Sequence, residues 1–207
     1  MNNMRPEKYA LPYKVTADFE SALAQYAGAP YAVAVNSGTA ALLLAVQWHS
    51  PGGMSIEIPA RTYCSVPMAI IHAGGRPVFR DYAWRGAYQL NPLPVFDSAR
   101  RFTSSMYSKG TFICVSFAAS KILAAEQGGA ILHDDPEADA WFRRMRFDGR
   151  TEGVDPLYDN FREVGHHCLM IPSVAATLLV RLHHLPKHNE DMPDYVYPDL
   201  SQHKAFQ

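Results

Sequence analysis

The sequence has no apolar run of the roughly 20 residues that a membrane-spanning helix takes. Its opening residues, Met1 to Pro6, lack the pattern of a secretory signal. Neither sign of charge is in excess, since 19 basic and 20 acidic residues leave a net charge of −1. Such a chain gives no electrostatic reason to expect nucleic acid or a membrane surface as a partner.

Cysteine is also scarce. The three cysteines, Cys64, Cys114 and Cys168, are odd in number, and we interpret them as reduced thiols in a cytoplasmic protein. Histidine is more frequent, but the neighbours in the pairs 166–167 and 183–184 point to different faces of a helix or strand. Because a metal needs several ligands on one face, we predict no metal site.

The composition is that of an ordinary globular protein, with 207 residues of which 48% are hydrophobic and 19% charged. This length allows one large core and is short for two domains. We predict a single domain over residues 1–185. The polar, proline-rich residues 186–207 are expected to form a tail that is poorly ordered or draped on a partner.

Strand-like and helix-like runs alternate over residues 31–132, which predicts a three-layer α/β sandwich with a mostly parallel central sheet. The strands are expected at 31–35, 55–58, 76–80, 94–96, 111–116 and 128–132. The helices are expected at 17–28, 40–48, 62–72, 136–146 and 172–185.

Lys121 lies between two of these strands, where an ammonium group is costly to bury without a partner. Its position is chemically sensible if the amine forms a Schiff base with a carbonyl cofactor. Asp97 ends an upstream strand and could hold a protonated pyridine nitrogen, which would complete a pyridoxal phosphate (PLP) site. The alternatives are a surface lysine at a turn and an aspartate that caps or pairs with a base.

The turn Ser37-Gly38-Thr39 joins a strand to a helix, where free amides and the helix dipole favour a phosphate group. Ser116 ends a strand and could donate its hydroxyl to the same phosphate. Tyr63 could stack on a flat ring. Each has an ordinary alternative, which is helix capping for the turn and aromatic core for Tyr63.

Taken together and in this order, the segments resemble the DegT-type nucleotide-sugar aminotransferase family of fold-type-I PLP enzymes. The resemblance covers roughly residues 15–185. It is carried by Asn-Ser-Gly-Thr-Ala-Ala-Leu (36–42), Pro-Ala-Arg-Thr-Tyr (59–63), Phe-Asp-Ser-Ala (96–99), Ser-Phe-Ala-Ala-Ser-Lys (116–121) and Gly-Gly-Ala (128–130). It implies that Lys121 forms the Schiff base and Asp97 binds the pyridine nitrogen. It also implies that Ser37, Gly38, Thr39 and Ser116 hold the phosphate and that Tyr63 stacks on the ring.

Some positions depart from the family pattern. Arg100 stands where the family usually has a glutamine that contacts the cofactor's phenolic oxygen, and Arg could still donate there. His167 stands where the family's asparagine reaches across a dimer interface to the neighbour's phosphate, and Leu169 replaces an arginine. Relatives also continue into a small C-terminal domain. Natural shortening and truncation are both open here, and we expect the former.

The resemblance implies an aminotransferase that acts on a sugar-like or nucleotide-linked keto substrate with an amino-acid donor, in a homodimer with composite sites. One alternative is a PLP enzyme of another reaction type, such as a decarboxylase, lyase or isomerase, because the cofactor residues do not distinguish these reactions. The other is a shortened homologue that acts as a non-catalytic partner subunit. The presence of both Lys121 and Asp97 argues against the second alternative.

Overall fold

The computed structural model describes residues 13–49 and 52–206, so the opening segment considered above lies outside the described residues. The described chain forms five α-helices and seven strands, and it confirms every helix and strand expected above to within a few residues. The helices are α1 (Lys14–Ala27), α2 (Gly38–Trp48), α3 (Ser65–His72), α4 (Pro136–Met145) and α5 (Pro172–His184). The strands are β1 (Tyr31–Val35), β2 (Ser55–Pro59), β3 (Arg76–Arg80), β4 (Tyr88–Gln89), β5 (Val95–Asp97), β6 (Phe112–Ser116) and β7 (Gly129–His133).

The sheet confirms the α/β class but corrects the expectation of a mostly parallel sheet. Five strands pair in the order β1-β7-β6-β5-β4, and only the β5–β6 pair is parallel. The strands β2 and β3 form a separate parallel pair. The reason lies in the connections, because parallel neighbours need a crossover that is usually helical. Residues 117–128 carry no helix between β6 and β7, so β7 returns antiparallel.

Helices cover both faces of the five-stranded sheet, as a three-layer sandwich requires. On one face, α2, α3 and α4 bury side chains such as Leu44 and Phe142 against the sheet. On the other face, α1 and α5 bury Phe19 and Leu178 against it. Successive residues of β1 alternate between these two cores, which is the period of a strand buried on both faces. The core therefore holds the strand ends in fixed positions.

The described residues 186–206 lie along the domain and end in two short 3-10 turns, which corrects the expectation of poor order. The alternative, that the tail is draped on a partner, stays a prediction. Asp191 forms a two-pronged ion pair with Arg101, and the Met192 amide donates to the Arg100 carbonyl at 2.9 Å. Further along, the Leu200 amide donates to the Ala60 carbonyl at 2.9 Å. These contacts were not foreseeable, because the segment's polar composition does not say which surface it follows. The domain boundary at residue 185 stays a prediction.

Candidate active site

One cavity of about 330 Å³ collects eight of the nine predicted site residues. It opens where β1, β5 and β6 end, which is where α/β sheets place their ligands. The eight residues are Ser37, Gly38, Thr39, Tyr63, Asp97, Arg100, Ser116 and Lys121. Residues that are far apart in sequence thus meet in one place, as the motif order predicted.

The turn after β1 forms one wall of the cavity. Ser37 caps α2, since its hydroxyl accepts a hydrogen bond from the Ala40 amide at 3.1 Å. At Gly38 a Cβ atom would lie 2.9 Å from the Ser116 Cβ, so only glycine lets the turn approach β6 this closely. The Thr39 hydroxyl donates to the Ser65 hydroxyl at 2.9 Å. The start of α2 and the Ser116 hydroxyl therefore face one small polar space that suits an anion.

Asp97 is the most enclosed acid at the site, with 5% of the residue exposed. Its Oδ1 accepts a hydrogen bond from the Ala99 amide at 2.9 Å, and its Oδ2 accepts one from the Tyr88 hydroxyl at 3.0 Å. Burial raises the pKa of Asp97, while these two hydrogen bonds and the charge of Lys121 oppose the rise. A carboxylate buried in this way gains most from a cationic group placed in the cavity beside it.

Lys121 lies half-buried at the other side of the cavity, in the turn after β6. Its amide donates to the Ala118 carbonyl at 2.9 Å, which fixes the backbone of that turn. Burial lowers the pKa of the Lys121 amine, the charge of Arg100 lowers it further, and Asp97 acts in the opposite direction. A lowered pKa leaves more of the neutral, nucleophilic amine near neutral pH.

Tyr63 and Arg100 line the cavity from its exposed side. Tyr63 is 59% exposed, so its ring is accessible for stacking and is not part of the core. The Arg100 guanidinium donates to the Pro193 carbonyl and, at 3.5 Å, to the Tyr197 hydroxyl. Arg100 thus lines the cavity and also contacts the segment 186–206.

His167 does not line the cavity. Its side chain is 78% exposed and its Nδ1 lies 3.0 Å from the Asp148 carboxylate. The sequence expectation was that this side chain acts in a neighbouring subunit's site, and that expectation stays a prediction.

The sequence interpretation did not include several residues that line or support the cavity, among them Thr62, Trp84, Tyr88 and Tyr197. Tyr88 lies on β4, the one strand that was not expected. The apolar–polar–apolar run 88–90 followed by Asn91-Pro92 is a turn signal before β5, and it could have predicted this hairpin. Tyr197 had no such signal, because it comes from the tail.

Over residues 13–49 and 52–206, no helix has the length and apolar character that crossing a bilayer takes. The same part of the chain contains no group of three or more histidine, cysteine or acidic side chains that could hold a metal ion.

The sequence of this chain is similar to a family of known proteins. The sequence profile of the DegT/DnrJ/EryC1/StrS aminotransferase family matches residues 2–95 and 95–194. GDP-perosamine synthase of Caulobacter vibrioides is 27% identical over 215 residues, which cover 83% of this chain and 57% of the relative. The dTDP-4-dehydro-2,3,6-trideoxy-D-glucose 4-aminotransferase of Saccharopolyspora spinosa is 28% identical over 229 residues, with 83% and 59% covered. The chain thus spans less than two thirds of these relatives.

A solved structure shows the same fold. The putative sugar aminotransferase Spr1654 of Streptococcus pneumoniae, in its PMP form, superposes with a TM-score of 0.70 at 18% identity. The match covers 90% of this chain and 65% of that one. At this identity the likeness establishes the fold alone.

Proposed function

The chain belongs to the DegT/DnrJ/EryC1/StrS aminotransferase family, and we propose that it binds PLP and transfers an amino group to a keto sugar. Aminotransferases of this family depend on PLP. The observation that carries the proposal is the single cavity that combines a lysine, a buried aspartate and a helix-start turn.

The residues of the cavity fit the parts of PLP. The start of α2 at Gly38 and Thr39 lines a polar part of the cavity together with Ser116, and this part would suit the phosphate group. Asp97 supplies a buried carboxylate for the ring nitrogen, and the exposed face of Tyr63 suits the ring plane. When bound, the cofactor supplies an aldehyde for amine chemistry and a ring that withdraws electrons. Arg100 lines the cavity, and its guanidinium would be the donor to the ring's phenolic oxygen.

Lys121 has two tasks in this proposal. Its lowered pKa favours the neutral amine that attaches the cofactor covalently. With the cofactor bound, the freed Lys121 Nζ would act as general base and acid, and it would move the proton from the substrate carbon to the cofactor. The Asp97 carboxylate would hold the ring nitrogen and favour its protonated form, since an opposite charge favours the charged form.

The substrate class is proposed from the relatives. Two of them carry GDP-linked or dTDP-linked sugars in their names. We propose a keto group on a nucleotide-linked sugar as the acceptor and glutamate as the donor. We also propose a cytoplasmic homodimer in which the exposed His167 contacts the neighbour's phosphate site.

The experiment follows the half-reaction. Purified protein loaded with PLP is mixed with glutamate, and the loss of the cofactor's long-wavelength absorbance band is recorded. We expect the band to disappear with the native chain and with the control Lys109→Ala, whose lysine is exposed outside the cavity. We expect no conversion with Lys121→Ala. Equal conversion by both variants, or a native chain that cannot be loaded with PLP, would refute the proposal.

A further inference from the structure

Tyr88 occupies a position that the proposed chemistry does not yet use. It lies on β4 directly opposite Asp97 of β5 in an antiparallel pair. Residues paired in this way have their side chains close together on one face of the sheet. The Tyr88 hydroxyl donates to Asp97 Oδ2 at 3.0 Å, while Oδ1 is held by the Ala99 amide. Each carboxylate oxygen therefore has one fixed donor.

A second hydroxyl extends this arrangement. The Thr62 and Tyr88 hydroxyl oxygens lie 2.5 Å apart, and both residues are buried. Because Tyr88 has one proton and donates it to Asp97, the hydrogen bond between the hydroxyls is donated by Thr62. The ring of Tyr88 is packed edge-on against Trp84, with centroids 4.7 Å apart. The hydrogen bond from Thr62 and the packing of the ring on Trp84 thus both fix the position of the Tyr88 hydroxyl.

The electrostatics agree with this direction. Burial and the neighbouring Asp97 raise the pKa of Tyr88 well above its usual value, so the phenol keeps the proton that it donates. The hydrogen bond from Tyr88 lowers the pKa of Asp97, against the effect of burial. The other titratable groups that interact with Asp97 are Lys121, Cys114 and Tyr197. Of the four, Tyr88 alone is hydrogen-bonded to the carboxylate among the described residues.

We propose that Tyr88 is a positioning residue, which orients the Asp97 carboxylate and keeps it ionised toward the ring nitrogen of the cofactor, with Thr62 as its support. The inference rests on the proposed function. A tyrosine that only fills core space would serve equally well as phenylalanine. A positioning tyrosine would not, because removal of its hydroxyl leaves one buried carboxylate oxygen without its donor.

The test uses Tyr88→Phe, with Tyr31→Phe as the matched control, since Tyr31 lies on β1 outside the cavity. The first measurement is a carbon NMR titration of the aspartate carboxyls in the cofactor-free protein, with the Asp97 signal assigned by Asp97→Asn. We expect Tyr88→Phe to move the Asp97 titration to higher pH and Tyr31→Phe to leave it unchanged. An unchanged Asp97 titration in Tyr88→Phe would overturn the proposal.

The second measurement is the PLP dissociation constant. We expect Tyr88→Phe to weaken binding about tenfold, as the loss of a hydrogen bond to a buried charged group predicts. The absorbance band of PLP bound to Tyr88→Phe should also depend on pH differently from that of PLP bound to the native protein. Thr62→Val keeps the Tyr88 hydroxyl, so it should change the dissociation constant and the pH dependence of the band in the same direction but less. This second variant also tests the proposal if Tyr88→Phe does not fold. Native-like values in both variants would overturn the proposal. A native chain that binds no PLP would refute the proposed function, while the titration would still decide the role of Tyr88.

Discussion

The cavity has a floor built at the ends of strands and a rim built from loops and the segment 186–206. The floor consists of the turn 37–39, Asp97, Ser116 and Lys121, which lie at or shortly after the ends of β1, β5 and β6. The rim consists of Trp84, Arg100 and Tyr197, where the Trp84 and Tyr197 rings stack with centroids 6.0 Å apart. The family match ends at residue 194, so Tyr197 lies beyond it.

The two regions differ in what holds them. The floor depends on buried packing and on backbone hydrogen bonds, which open only when a large part of the protein unfolds. The rim depends on partly exposed ion pairs and single hydrogen bonds, which contribute little each. We propose that the cofactor chemistry belongs to the floor and substrate selection to the rim. The following changes test that division, from the largest expected effect to the smallest.

The largest effect is expected from Asp97→Asn in the floor. Removal of one partner of a buried charge pair costs about 3–5 kcal/mol, so turnover should fall about 10²- to 10⁴-fold. PLP should still attach to Lys121, because the amine is unchanged. Steady-state amino transfer is the measurement, and Asp18→Asn on the exposed face of α1 is the control. Near-native turnover of Asp97→Asn would contradict the assigned role.

A second change in the floor is Gly38→Ala. The added Cβ would lie 2.9 Å from the Ser116 Cβ, and overpacking of this kind costs about 1–3 kcal/mol. We expect PLP affinity, measured by titration of the cofactor-free protein, to fall about tenfold. The control Gly53→Ala introduces backbone strain at a φ of 80° but meets no atom within 4 Å. Equal losses of affinity in both variants would show that the turn at Gly38 has no special role.

Arg100→Gln tests the boundary between the two regions. The charge of Arg100 lowers the pKa of the Lys121 amine, so its removal should raise that pKa. Less neutral amine is then present at a given pH, so the pH profile of the rate of PLP attachment should shift to higher pH. The control Tyr197→Phe disturbs the same rim contact without changing charge. A pH profile that is unchanged in Arg100→Gln would contradict this coupling.

The smallest effect is expected in the rim from Asp191→Asn, which breaks the ion pair with Arg101. Partly exposed ion pairs contribute about 0.2–1 kcal/mol, so the free energy of global unfolding should barely change. We expect faster cleavage of the segment 186–206 in limited proteolysis, with PLP affinity unchanged. Asp18→Asn again serves as the control. A matching loss of PLP affinity would show that floor and rim are not separable.

The same division explains how much the sequence could predict. The floor was predictable because its residues stand at the ends of apolar runs. A strand fixes the position of each residue, and the order of the motifs indicates which residues share one site. Tyr88 was missed because β4 has only two residues, too few for a reliable alternation. The antiparallel β6–β7 pair was missed because the alternation of strands and helices was taken to hold over all of residues 31–132, although no helix was expected in the connection 117–128. Tyr197 was missed because long-range contacts of a polar segment leave no local pattern.

The central claim is that the floor holds PLP on Lys121, and one measurement tests it directly. Protein loaded with PLP is reduced with borohydride, digested and examined by peptide mass spectrometry. We predict one cofactor adduct, on the peptide that carries Lys121, and none on the peptide that carries the exposed Lys109. An adduct on another lysine, or a loaded protein that yields no adduct on Lys121, would contradict the account.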